Sequence, residues 1–212
     1  MQTIKIDIKK ITDEQVDLIV DYLKKGKVIA YPTDTIYGLG CDAGDAAAVN
    51  KIKNIKGGRE EKSFIVLVSD FAMLEKYCLV NKEQMEYLKK VWRQTNATPL
   101  APLVRGGGQK PVTIILENRK NLPNELTGGL DSLAVRLPDS EFLVKIISRV
   151  GFPLVSTSLN KTGEPPLGNV KNLEKYFELL PDLAIDAGES KNTKPSKLID
   201  LRDVNNIIVM RE

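Results

Sequence analysis

Apolar residues recur along the chain with two alternating periods. In "TDEQVDLIVDYLKKG", residues 12–26, Val16, Ile19 and Leu23 fall on one helical face. Thr12 and Gln15 can close a capping box at its start, and Gly26 ends it. "KVIAYP" then reads as a buried strand, and Asp45 opens a second helix, "AAAVNKIKNIK", which Gly57 and Gly58 stop. "SFIVLVSD" is a β-branched strand whose Asp70 can cap a following helix, and "NKEQMEYLKKVW" is amphipathic. Strands "VTIILE" and "SLAVRL", helix "SEFLVKIISRVG" and strand "PLVSTS" follow. Helix "VKNLEKYFELL" and strands "LAIDAG", "KLIDLR" and "NIIVMR" complete the pattern. Such alternation, with several strands in direct succession, predicts an α/β fold with a mixed sheet.

Two segments break the rhythm. Residues 93–110, "RQTNATPLAPLVRGGGQK", have no apolar period, and residues 160–170, "NKTGEPPLGNV", read as a turn-rich loop. No internal repeat or linker-like shift divides the chain, so one domain over residues 1–212 is expected.

Composition narrows the chemistry. Hydrophobic residues at 42% and charged residues at 28% place the chain among globular proteins rather than disordered ones. A net charge of +3 allows a local anionic pocket or weak tRNA binding but predicts neither. No apolar run is long enough to span a bilayer, no secretory leader is recognisable, and the two cysteines are far apart. A cytoplasmic protein without membrane attachment is the expectation. The chain has no histidine, which removes Ser-His-Asp triads, Cys-His dyads and histidine metal sites. No P-loop signature occurs, and "GLGCDAG" misses the dinucleotide fingerprint because its last glycine is one residue too far.

What remains is a set of polar residues near strand ends. Thr33, Thr35 and Tyr37 follow the first buried strand, within "AYPTDTIYGLGCDA". Lys56, Arg59 and Lys62 precede "FIVLV", and Arg136 interrupts the apolar "AVRLP". Ser156, Ser158 and Asn160 end another strand, and Ser196 opens one near the C-terminus. Cations placed so can hold phosphates or a carboxylate, and hydroxyls can fix their oxygens. Each also has a plainer account: a proline turn for "YPTDT", a solvated helix end for the three cations, an ion pair or exposed face for Arg136.

In their order, "YPTDTIYGLGCDA", "IKGGREEKSFIVLVSD", "PVTIIL", "TGGLDSLAVRLPD", "PLVSTSLNKTGEPP" and "KPSKLIDL" resemble the YrdC-like family of threonylcarbamoyl-AMP synthases, from about residue 10 to the C-terminus. The resemblance implies a twisted open sheet with flanking helices around a positively charged cavity. It implies that L-threonine, bicarbonate and ATP, with Mg²⁺, give threonylcarbamoyl-AMP and pyrophosphate. A separate tRNA threonylcarbamoyl transferase then passes the group to an adenosine of tRNAs that read ANN codons. By matching positions, Thr33, Thr35, Tyr37 and Arg136 are expected at the amino-acid and carbamoyl end. Lys56, Ser156, Ser158, Asn160 and Ser196 are expected toward ATP, with Lys56, Arg59 and Lys62 as catalytic cations. The chain departs from the family where Lys56, Gly57, Gly58 and Arg59 stand for K-G-R-P, and residues 93–110 resemble an insertion. Those departures keep a second reading open, an RNA- or nucleotide-binding relative without synthase activity.

Overall fold

The computed structural model describes residues 1–58, 63–92, 111–190 and 195–212. Strand β1 (Gln2–Lys5) leads into α1 (Asp13–Lys24), whose capping box between Thr12 and Gln15 forms as the sequence requires. Next come β2 (Ile29–Tyr31), β3 (Gly38–Gly40), α2 (Ala46–Ile55), β4 (Ile65–Leu67), α3 (Phe71–Tyr77), β5 (Cys78–Leu79) and α4 (Lys82–Val91). The chain continues through β6 (Val112–Asn118), α5 (Asn124–Thr127), β7 (Ser132–Arg136), α6 (Glu141–Val150) and β8 (Leu154–Ser158). It closes with α7 (Leu173–Tyr176), β9 (Leu183–Asp186), β10 (Lys197–Asp200) and β11 (Ile208–Arg211).

These strands form one mixed sheet in the order β1-β9-β2-β3-β8-β4-β7-β6-β10-β11, with β5 beside β6. Parallel pairs such as β4–β7 alternate with antiparallel ones such as β3–β8 and β4–β8. The flanking helices bury the stripes that the 3.6-residue period marks. In α6, Phe142, Leu143, Ile146, Ile147 and Val150 are all buried, at roughly 1.5–3 kcal/mol for each large side chain. Its polar flank ties to α1 through Arg149–Asp17 at 2.8 Å and Lys145–Asp13 at 3.0 Å.

Two elements differ from the sequence pattern. The helix expected over "VKNLEKYFELL" is the single turn α7, because Asn172 stands in the left-handed region at φ 57° without a capping bond and Phe177 is already extended. Burial of Leu173 and Phe177 holds that turn against the core. The stretch "GLG", which reads as a flexible turn, is instead strand β3, threaded antiparallel between β2 and β8.

Candidate functional site

Cross-strand register defines the floor of the site. Gly38 pairs with Ser158, Ser156 with Ile65, and Ile65 with Ala134, so these residues share one face of the sheet. Ser156 and Ser158 are two apart on β8, and Ala134 and Arg136 two apart on β7, which puts Arg136 on that face as well. A cavity of about 460 Å³ opens over it. Its walls come from the β2–β3 connection, the start of β4, the loop after β8, Pro195–Ser196 and Arg211. Gly38 widens the floor, because a Cβ there would meet the Thr157 carbonyl oxygen at 3.0 Å.

Among the residues singled out from sequence, Thr33, Thr35, Arg136, Ser156, Ser158, Asn160 and Ser196 line this one cavity. Tyr37 and Lys56 do not appear in its lining. Tyr37 is buried, donates from its phenol to the Gly188 carbonyl at 2.8 Å and accepts from the Ala187 N–H at 3.0 Å. Burial pushes that phenol above its ordinary pKa. Lys56 is 2% exposed and lies behind the wall, donating to the Ser158 carbonyl at 3.0 Å, the Asn160 carbonyl at 3.1 Å and Asn160 Oδ1 at 2.9 Å. It therefore fixes the turn that carries Ser158 and Asn160. Arg59, Lys62 and the segment 93–110 lie outside the described residues.

Arg136 organises one end. It is 4% exposed, and its Nη2 lies 3.3 Å from Oδ1 of Asp34, whose side chain is 7% exposed. Its Nη1 donates to Thr35 Oγ1 at 3.1 Å, while Nε is buried without a hydrogen-bond partner. Both plainer accounts of this region hold in part: the arginine is ion-paired, and the threonines do bond locally. The local bonds nonetheless give the hydroxyls a direction. Thr33 Oγ1 is 2.7 Å from the Ile36 carbonyl, an acceptor only, so Thr33 spends its proton there. Thr35, 2.8 Å away, must then donate to Thr33, which also accepts from the Thr35 N–H and so is fully used. Thr35 Oγ1 accepts from Arg136 Nη1 and keeps one lone pair for an N–H group.

The other end is cationic. Arg211 closes β11 and donates from Nε and Nη2 to the Ser196 carbonyl at 3.0 and 2.8 Å. Burial, and then the charge of Arg136, hold its guanidinium below the ordinary arginine pKa. Arg211, and Arg136 with its charge shared with Asp34, stand over a hydroxyl-lined floor that can take an anion. Arg211 was not among the sequence candidates, although a charged residue closing the apolar run "NIIVM" is the same signal that marks Arg136 in "AVRLP". Glu164, also in the lining, had no signal beyond its turn-rich loop. Its carboxylate accepts from Tyr176 at 2.6 Å. Among the described residues no group of three His, Cys, Asp or Glu side chains could hold a metal ion, and no helix is long and apolar enough to cross a membrane.

An open mixed sheet whose face carries a cavity of converging arginines and hydroxyls defines an α/β protein suited to an anionic small molecule. The chain belongs to the Sua5/YciO/YrdC family, whose model, described as "Telomere recombination", matches residues 21–212. It is 30% identical over 203 residues to a threonylcarbamoyl-AMP synthase of Pyrococcus abyssi, covering 95% of this chain and 55% of that protein. It is 32% identical over 189 residues to a threonylcarbamoyl-AMP synthase of Nitrosococcus oceani, covering 89% of this chain and 94% of that one. The chain thus spans about half the length of the first relative and nearly all of the second. Among solved structures, Pyrococcus abyssi Sua5 complexed with L-threonine superposes with a TM-score of 0.81 at 28% identity, over 99% of this chain and 56% of that one. Escherichia coli YciO does so with a TM-score of 0.78 at 25% identity, over 100% and 94%. The α/β class and the mixed sheet read from the sequence are therefore those of the family.

Proposed function

We propose that the chain is an L-threonylcarbamoyladenylate synthase, converting L-threonine, bicarbonate and ATP to threonylcarbamoyl-AMP and pyrophosphate, the first step of tRNA t6A modification. The observation that carries this reading is the convergence of Arg136 and Arg211 on one hydroxyl-lined cavity. Relatives 30 and 32% identical over most of the chain, named threonylcarbamoyl-AMP synthases, support it.

Each end of the cavity has a task. The remaining lone pair of Thr35 suits the threonine amine, and the Arg136 guanidinium beside it suits an acidic oxygen. The amine displaces water from bicarbonate to form a carbamate, and a carbamate oxygen attacks the α-phosphorus as pyrophosphate leaves. Arg211 and the Ser196 hydroxyl neutralise and orient the phosphates. Catalysis is by positioning and charge, so a chain without histidine loses nothing. The Glu164 carboxylate would be the protein group to hold a Mg²⁺ brought with ATP, which would supply charge neutralisation at the phosphates. The product leaves for a tRNA threonylcarbamoyl transferase, with at most weak tRNA contact by this chain.

The test is pyrophosphate release from labelled ATP, measured with and without threonine and bicarbonate. Release that requires both supports the assignment, whereas turnover indifferent to either overturns it. Tight, salt-sensitive tRNA binding with no release would favour a binding relative instead.

A further inference from the structure

We infer that Thr113 is a positioning residue for Ser196: its buried hydroxyl donates to Ser196 Oγ and so turns the serine's own proton into the cavity. Thr113 is the threonine of "PVTIIL", a stretch to which the sequence attaches no chemistry. It lies on β6, which pairs in parallel with β10 so that Val112 meets Lys197 and Thr113 meets Leu198. Ser196, two residues before Leu198, therefore leans over the same face. The two hydroxyl oxygens are 2.7 Å apart, with Thr113 at 0% and Ser196 at 3% exposure.

Two hydroxyls in contact share one hydrogen bond, and burial decides its direction. Among the described hydrogen bonds, the Thr113 hydroxyl has no polar partner besides Ser196 Oγ. Were Ser196 the donor, the Thr113 proton would be sealed from water with nothing to accept it, and a buried unmade donor is costly. The reverse direction satisfies both groups. Ser196 cannot return its proton to its second neighbour either, since Arg211 Nη2, 3.5 Å from Ser196 Oγ, is itself a donor. The proton is left facing the cavity.

Two other hydroxyls of the cavity wall are differently committed. The Thr33 proton goes to the Ile36 carbonyl, and the Ser158 hydroxyl donates to Asn160 Oδ1. Ser196 is thus an outward donor that Thr113 creates, next to Arg211 in the same cavity wall. An acceptor-only oxygen, such as that of a phosphate, is the group this geometry recognises. The inference rests on the nucleotide reading of the cavity given above.

The test is the dissociation constant for ATP, by calorimetric titration, of Thr113→Val, Thr113→Ser, Ser196→Ala and the Thr113→Val/Ser196→Ala pair. Valine keeps the shape of threonine and removes only the hydroxyl. Thr113→Val and Ser196→Ala should each weaken ATP by about three- to tenfold, as for one lost hydrogen bond. The double variant should be no weaker than Ser196→Ala alone, and Thr113→Ser should bind like the wild type. A purely structural role would instead lower thermal stability and weaken ATP equally in both serine and alanine backgrounds, which overturns the inference. Wild-type binding by Thr113→Val, with Ser196→Ala impaired, overturns it and leaves the nucleotide reading intact. Wild-type binding by Ser196→Ala overturns both.

Discussion

Arg211 is the residue on which the anion end depends most directly. It spans the Ser196 carbonyl with two donors and faces Arg136 across the cavity. Arg211→Ala removes a charge from that space and releases Ser196. Its expected cost is about 1.5–3 kcal/mol of ATP binding, read by calorimetric titration, with threonine binding less affected. Arg211→Lys should recover only part, because a single ammonium cannot span the carbonyl as the planar fork does. At this scale the sequence was most informative where a residue's chemistry conflicts with its surroundings. An arginine inside "AVRLP" announces itself, and the structure places Arg136 in the cavity wall. Lys56 was equally visible, but its charge is directed at two backbone oxygens and the Asn160 side chain behind the wall. Sequence gives the charge of such a residue and not its direction, which is set by packing between elements far apart in the chain.

Strand β3 shows what glycine does for an element. A Cβ at Gly40 would stand 2.6 Å from Tyr31 Cε1 and 2.7 Å from the Val155 carbonyl oxygen. Only a bare backbone passes between β2 and β8 there. Gly40→Ala must therefore displace a backbone neighbour, and we expect it to destabilise the fold by about 2 kcal/mol, measured by urea denaturation. Propensity hides such an element, since glycine is a poor strand former and "GLG" reads as a turn. The long amphipathic helices and the β-branched strands were legible because each buries a stripe that its own period marks. The shortening of α7 to one turn was not, because it follows from tertiary burial of Leu173 and Phe177.

Over the whole molecule, the cavity draws on segments from residue 33 to residue 211, so its shape depends on the integrity of the sheet. Asp182 is one of the joints. It accepts from the Val28 N–H at 2.9 Å and from Lys51 Nζ at 2.7 Å, linking the approaches to β2 and β9 with α2. Burial alone would raise its pKa, but the hydrogen bonds from Lys51 and Val28 and the Lys51 charge outweigh it and hold the carboxyl low. A carboxyl lowered in the folded state stabilises the fold above its unfolded pKa and loses that contribution as pH falls through the folded value. Asp182→Asn should therefore lower the melting temperature at pH about 7, and its deficit should shrink below pH about 4. The α/β class and seven of the polar cavity residues were recoverable from the chain, because strand-end polar groups stand out against apolar runs. A positively charged cavity was expected from the resemblance alone, but Arg211 was not found, since a net charge of +3 over 212 residues says nothing of where two arginines meet.

The cage around Lys56 also bears on how long the protein survives its own chemistry. The threonylcarbamoyl-AMP proposed as product is a mixed anhydride, and any neutral amine beside it is an invitation to self-acylation. Lys56 lies next to Ser158 and Asn160, two residues of the cavity wall, yet its ammonium faces three oxygen atoms. An ammonium so engaged has no lone pair to offer. A cation can thus stand immediately behind the cavity and remain chemically silent.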